Sequence, residues 1–230
     1  MTRTRADAMF RTALRVGSRG LLALGRALYG LEIHGREHLP AHGPLVLVVR
    51  LNARISVFAA AFLYATLDEF YGFAGGAFIV NTRPAMWLSE RMGMLPTYKG
   101  GGLSALPLVE AFKRLRRGKI IFVTASRDLP WDGRLGPIPH GAVWLALRAG
   151  APLVAVAVQG DYDIWPRWAS RPRLRGKLVI RVGEPFRVSD APAGTVTDAM
   201  LEEANGRLRA EVEAASAGYL LPPKPVGARA

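Results

Sequence analysis

The chain has 230 residues, half of them hydrophobic and 9% aromatic, with a formal net charge of +13 and no cysteine. Its length fits one α/β domain with a substantial core, and its composition excludes an intrinsically disordered chain. Lacking cysteine, it has no disulfides, thiolate nucleophiles or cysteine-ligated zinc, and it predicts no cofactor; the positive charge predicts attraction to polyanions.

The first thirty residues read as a basic amphipathic helix or helix pair. Phe10, Leu14, Gly17, Leu21, Leu24 and Leu28 recur at helical spacing, Arg11, Arg15, Arg19 and Arg26 fall mostly elsewhere, and Gly17 and Gly20 offer a break. An interfacial helix with arginines on anionic headgroups and an ordinary helix packed on the core fit this pattern equally. No segment reads as a transmembrane helix, because the best apolar run, Ile55 to Leu67, is short and bounded by Arg54 and Asp68. Leu21 to Leu24 does not read as a signal peptide.

An α/β rhythm follows. Strands are predicted at Leu45–Val49, Phe78–Val80, Lys119–Val123, Leu153–Val158 and Leu178–Val182, with Met94–Tyr98 extended and Gly100-Gly101-Gly102 a loop. Helices are predicted at Ile55–Leu67, Pro84–Met92, Leu103–Arg117, Gly141–Ala149 and Asp198–Ala215. Continuous apolar strands between helices imply a central, mostly parallel sheet flanked by helices on both faces. The expected division is a membrane-associating segment over 1–30, an α/β domain over 31–216 and a Pro-rich, disordered tail over 217–230.

Several stretches carry a resemblance in the correct order. They are Ile33-His34-Gly35-Arg36-Glu37-His38-Leu39-Pro40, Gly43-Pro44-Leu45-Val46-Leu47-Val48 and Gly93-Met94-Leu95-Pro96-Thr97-Tyr98-Lys99. Then come Asp132-Gly133-Arg134-Leu135-Gly136-Pro137 with His140-Gly141-Ala142, Ala151-Pro152-Leu153-Val154-Ala155-Val156-Ala157, and Gly183-Glu184-Pro185-Phe186. Together they resemble the lysophospholipid (1-acylglycerol-3-phosphate) acyltransferase family, from about Leu31 to Ala215.

The resemblance implies a motif Asn-His-x-x-x-x-Asp after the first long strand, with histidine as general base and aspartate as its orienter. Here it falls on Arg50-Leu51-Asn52-Ala53-Arg54-Ile55-Ser56, so Leu51 stands for the histidine and Ser56 for the aspartate. The motif Phe-Pro-Glu-Gly-Thr-Arg reads Phe122-Val123-Thr124-Ala125-Ser126-Arg127, and Lys99 stands for an arginine. The family's catalytic pair is thus unmatched. Lys99, Thr124, Ser126 and Arg127 are the substrate-binding candidates, with Lys99 and Arg127 expected to share one anion site.

Leu51 and Ser56 are expected to face the family's cleft. Among substitutes, His140 and Asp128 are weak, and His140 is expected to lack a carboxylate partner; His34, His38 and His42 are expected at the surface, away from the site. Trp165, Trp168, Arg167, Arg171, Arg173 and Arg175 suit either a headgroup interface or the capping of a core edge. The resemblance therefore implies a peripheral protein on the cytoplasmic face of an anionic membrane, binding a lysophospholipid or acyl thioester, with acyl transfer lost or reduced. The alternatives are an acyltransferase with a relocated base and a basic scaffold or nucleic-acid-binding protein, although no helix-turn-helix or aromatic RNA motif favours nucleic acid.

Overall fold

The computed structural model describes residues 5–74, 83–96, 105–126, 128–190, 192 and 194–217. In chain order the elements are α1 Arg5–Tyr29, β1 Glu32–His34, β2 Leu45–Arg50, α2 Val57–Thr66, β3 Phe70–Ala74, α3 Arg83–Arg91 and β4 Met94–Pro96. They continue with α4 Ala105–Arg116, β5 Ile120–Thr124, α5 Gly141–Ala149, β6 Leu153–Gln159, α6 Asp161–Ile164, β7 Val179–Val182 and α7 Asp198–Ala215.

The strands form one sheet in the order β1-β7-β6-β2-β5-β3-β4. The β6–β7 pairing is antiparallel and every other pairing is parallel, so β1 and β7 run against the other five. Alternation along β2 explains its unbroken apolar run. Leu45, Leu47 and Val49 enter a core shared with α1 and α2, whereas Val46 and Val48 enter one shared with α4, α5 and α7. The result is three layers, helix–sheet–helix. β2, β5 and β6 end along a common edge, where α/β proteins gather their sites.

α1 is one unbroken helix, so the expected break at Gly17 and Gly20 does not occur. Its buried line is also rotated from the expected one: Ser18, Leu22, Gly25 and Tyr29 are buried, while Leu24 and Leu28 are exposed. Gly25 explains the shift, because a side chain there would lie 2.7 Å from the Phe58 ring of α2. Tyr29 then packs edge-on against Phe58, with ring centroids 5.8 Å apart. Arg11 and Arg15 turn inward to Glu69 and Asp68, at 3.3 and 2.7 Å, instead of standing free for headgroups.

Three elements escaped the sequence reading. β1 is a three-residue strand made by pairing with β7, β3 is an aromatic segment interrupted by Gly72, and α6 is a single turn. The expected strand at Phe78–Val80, the loop at Gly100–Gly102 and residues 218–230 of the tail lie outside the described residues. Among the described residues no helix is long and apolar enough to cross a membrane.

Candidate functional site

The edge formed by the ends of β2, β5 and β6 carries a buried polar network. β2 ends at Arg50, and Asn52, 1% exposed, follows Leu51. The Asn52 backbone N–H donates to Asp161 Oδ2 at 2.8 Å, and its Nδ2 donates to Asp161 Oδ1 and to the Val158 carbonyl, both at 3.3 Å. The Tyr162 N–H donates to Asp161 Oδ1 at 2.9 Å. Arg50 Nε donates to Asn52 Oδ1 at 3.1 Å, and its terminal nitrogen reaches the Gly133 carbonyl, also at 3.1 Å.

Asp161 is fully buried. Burial pushes its carboxyl up to about 6, against the opposing pull of the Asn52 and Tyr162 donors and the Arg50 charge. Gly160, at φ +80°, makes the turn that presents it, and any side chain there would run into the Lys177 carbonyl.

This network also fastens the adjoining loop. The Tyr162 hydroxyl donates to the Trp131 carbonyl at 2.8 Å and accepts from Trp168 Nε1 at 3.2 Å. Trp165 Nε1 donates to the Ala169 carbonyl at 3.1 Å. Both tryptophan N–H groups therefore hold their own segment in place. Arg167 donates to the Leu129 carbonyl at 3.0 Å and stacks over the Trp131 ring at 4.6 Å. A groove of about 840 Å³ is lined by Ser126, Asp128, Trp131, Asp132, Arg134 and Arg167 among others. Apolar residues, among them Leu129, Leu135 and Ile138, share the lining with two carboxylates and two guanidinium groups.

The residues expected from the sequence take different positions. Leu51, expected to face the cleft, is 6% exposed, packs into the α1/α2 core and is not among the residues lining this groove. Ser56 closes a 3-10 turn, and its side chain lies outside the described set. Thr124 ends β5, its hydroxyl donating to the Ser126 carbonyl at 2.7 Å, and Ser126 lines the groove. Lys99 and Arg127 lie outside the described residues.

Asp128 lines the groove, while His140 precedes α5 with its Nε2 3.4 Å from Glu202 of α7. That contact joins two exposed side chains and is not a hydrogen bond, and His140 is not among the residues lining the groove. His34 and His42 are exposed, whereas His38 is half-buried, its Nδ1 3.1 Å from the Val182 carbonyl. Among the described residues no cluster of histidine and carboxylate groups could hold a metal ion.

Asn52, Asp161 and Tyr162 were not singled out as functional groups in the sequence. The signal available was Gly160-Asp161-Tyr162-Asp163 directly after the long apolar β6, a strand end in an α/β chain.

Fold and site together define a three-layer α/β protein with its groove and polar network at the strand ends of a mostly parallel sheet. No family model matches the chain. Over 182 residues it is 23% identical to a chloroplastic 1-acyl-sn-glycerol-3-phosphate acyltransferase of Brassica napus, covering 78% of this chain and 50% of that protein. A chloroplastic 1-acyl-sn-glycerol-3-phosphate acyltransferase of Arabidopsis thaliana is 22% identical over 182 residues, covering 78% of this chain and 48% of its own.

The crystal structure of PlsC, the 1-acyl-sn-glycerophosphate acyltransferase of Thermotoga maritima, superposes with a TM-score of 0.67 at 16% identity. That likeness covers 96% of this chain and 86% of the other, and it shows a shared fold. The chain is thus similar in sequence to 1-acyl-sn-glycerol-3-phosphate acyltransferases and shares the fold of PlsC, and it spans about half the length of the curated relatives it matches.

Proposed function

We propose that this protein docks on the cytoplasmic face of an anionic membrane and binds a lysophospholipid or acyl donor in the groove at the strand ends, with acyl transfer lost or reduced. The observation that carries the reading is Leu51. It stands where the family resemblance puts the general base, and it is packed into the α1/α2 core at 6% exposure. A buried alkyl side chain can neither accept the acceptor hydroxyl's proton nor approach it. Beside it, Asn52 and Asp161 are bonded to each other and sealed from solvent.

The test is an acyl-transfer assay with a panel of lysophospholipid acceptors and both thioester donor types. Turnover is expected about a hundred- to ten-thousand-fold below that of an ordinary family member, the usual cost of a lost general base. A Leu51→His, Ser56→Asp double variant is expected to stay slow, because residue 51 points into the core. Ordinary turnover by the unmodified chain, abolished by His140→Ala, would overturn the reading in favour of a relocated base.

The membrane part rests on the outer side of α1. Met9, Val16, Leu24 and Leu28 are 73, 61, 49 and 44% exposed. Between them lie Ala13, Gly17, Gly20, Ala23 and Ala27, exposed and uncharged, and Arg19 and Arg26 are exposed along one margin. An uncharged stripe edged by arginine is the pattern of a helix lying in an anionic interface. Flotation with vesicles containing phosphatidylglycerol is expected for the full chain, and a Val16→Ser, Leu24→Ser variant should lose it. Unaltered flotation of that variant would remove α1 as the anchor.

A further inference from the structure

α3 carries a second exposed apolar pair, and the structure joins it to α1. Trp87 is 55% exposed and Leu88 42%. Four residues on from Trp87, the Arg91 guanidinium lies over the Trp87 ring at 4.7 Å and over the Phe10 ring of α1 at 5.4 Å. One cation thus sits against an aromatic ring from each helix. Phe10 is half-buried, on the border between the packed side of α1 and its open stripe. The apolar stripe is therefore edged by Arg19 and Arg26 on one side, while near the start of the helix its other side adjoins Arg91 and Trp87.

We infer that α3 supplies a second half of the membrane contact, with Trp87 and Leu88 entering the headgroup–acyl boundary of an anionic leaflet beside α1. The proposal rests on the membrane reading of α1 and adds to it an anchor on a separate element. Tryptophan suits that depth, its ring burying an apolar body at the headgroup level, while Arg19 and Arg26 edge the same surface toward lipid phosphate. The two loop tryptophans, Trp165 and Trp168, have their N–H groups committed within the protein, whereas Trp87 presents more than half its surface. The exposed acid here is Glu90, which flanks Trp87 on the side away from Leu88 and opposes an anionic surface. A two-helix contact also resists rocking about a single helix axis.

The experiment is partitioning of the full chain onto phosphatidylcholine vesicles with and without phosphatidylglycerol. It compares the unmodified chain with Trp87→Ala/Leu88→Ala, Val16→Ser/Leu24→Ser and Glu90→Lys variants, each checked for an unchanged thermal midpoint. The α3 variant is expected to bind anionic vesicles roughly tenfold more weakly, and Glu90→Lys several-fold more tightly.

Quenching by brominated lipid should reach Trp87, so that a Trp87→Phe variant loses the quenched part of the emission. If the α1 variant loses binding while the α3 variant keeps it and Trp87 is unquenched, the α3 proposal falls and the α1 reading stands. If the unmodified chain does not bind anionic vesicles, or uses this face only to self-associate, both fall.

Discussion

Asp161 is held between burial, which favours the neutral acid, and three N–H contacts, which favour the carboxylate. Its folded-state value of about 6 lies above the ordinary carboxylate value of 3.8, so the folded chain keeps a proton that the unfolded chain has released. The stability contributed by this group therefore falls as pH rises from about 4 to about 6, by up to roughly 3 kcal/mol, and is level beyond. Urea unfolding across that range is expected to show the slope in the unmodified chain, and the difference from an Asp161→Asn variant isolates it. That variant should also lose about 1–3 kcal/mol at low pH, because an amide N–H₂ replaces an oxygen that accepts a buried N–H. Equal pH slopes in the two proteins would show that Asp161 titrates at its ordinary value.

At the scale of the element, α1 carries two kinds of glycine. Gly25 lies against Phe58 and Leu31, with no room for a side chain, whereas Gly17 and Gly20 have no neighbour within 4 Å of where one would stand. A Gly25→Val variant is expected to lose about 1–3 kcal/mol of stability by prising α1 from α2. Gly17→Ala and Gly20→Ala should each gain up to about 1 kcal/mol, the helix propensity of alanine over glycine. Thermal midpoints moving in opposite directions would check both statements. Because Leu22 and Tyr29 belong to the core beneath the sheet, substitutions on the outer stripe isolate the helix's surface role where removing it would not.

Across the whole molecule, the charge of +13 and the apolar contact proposed for α1 and α3 have different salt responses. Arginines exposed around the fold attract any polyanion, and this attraction is screened within about 3 Å at 1 M salt. The apolar contact proposed for α1 and α3 is not screened. Vesicle flotation should therefore weaken but persist as salt rises, while a DNA mobility shift at matched salt should vanish. Loss of both together would assign the binding to charge alone.

Much of the fold was legible because burial leaves a strong local signal. The unbroken apolar runs of β2 and β6 announce strands covered on both faces, and α5 and α7 end where their sequence pattern ends. The sequence by itself thus determined the layer architecture, the basic character of α1 and the absence of histidine at position 51.

Only tertiary structure decided the rest, because each remaining feature depends on partners distant in the chain. β1 is a strand through β7, and Arg15 is drawn to Asp68, 53 positions away. Asp161 becomes a buried acid through Asn52, 109 positions away. Leu51 closes against the core, since it continues the alternation by which Leu45, Leu47 and Val49 of β2 enter the α1/α2 side. Periodicity reports how a residue meets its own element; it carries no record of which distant element will cover that face.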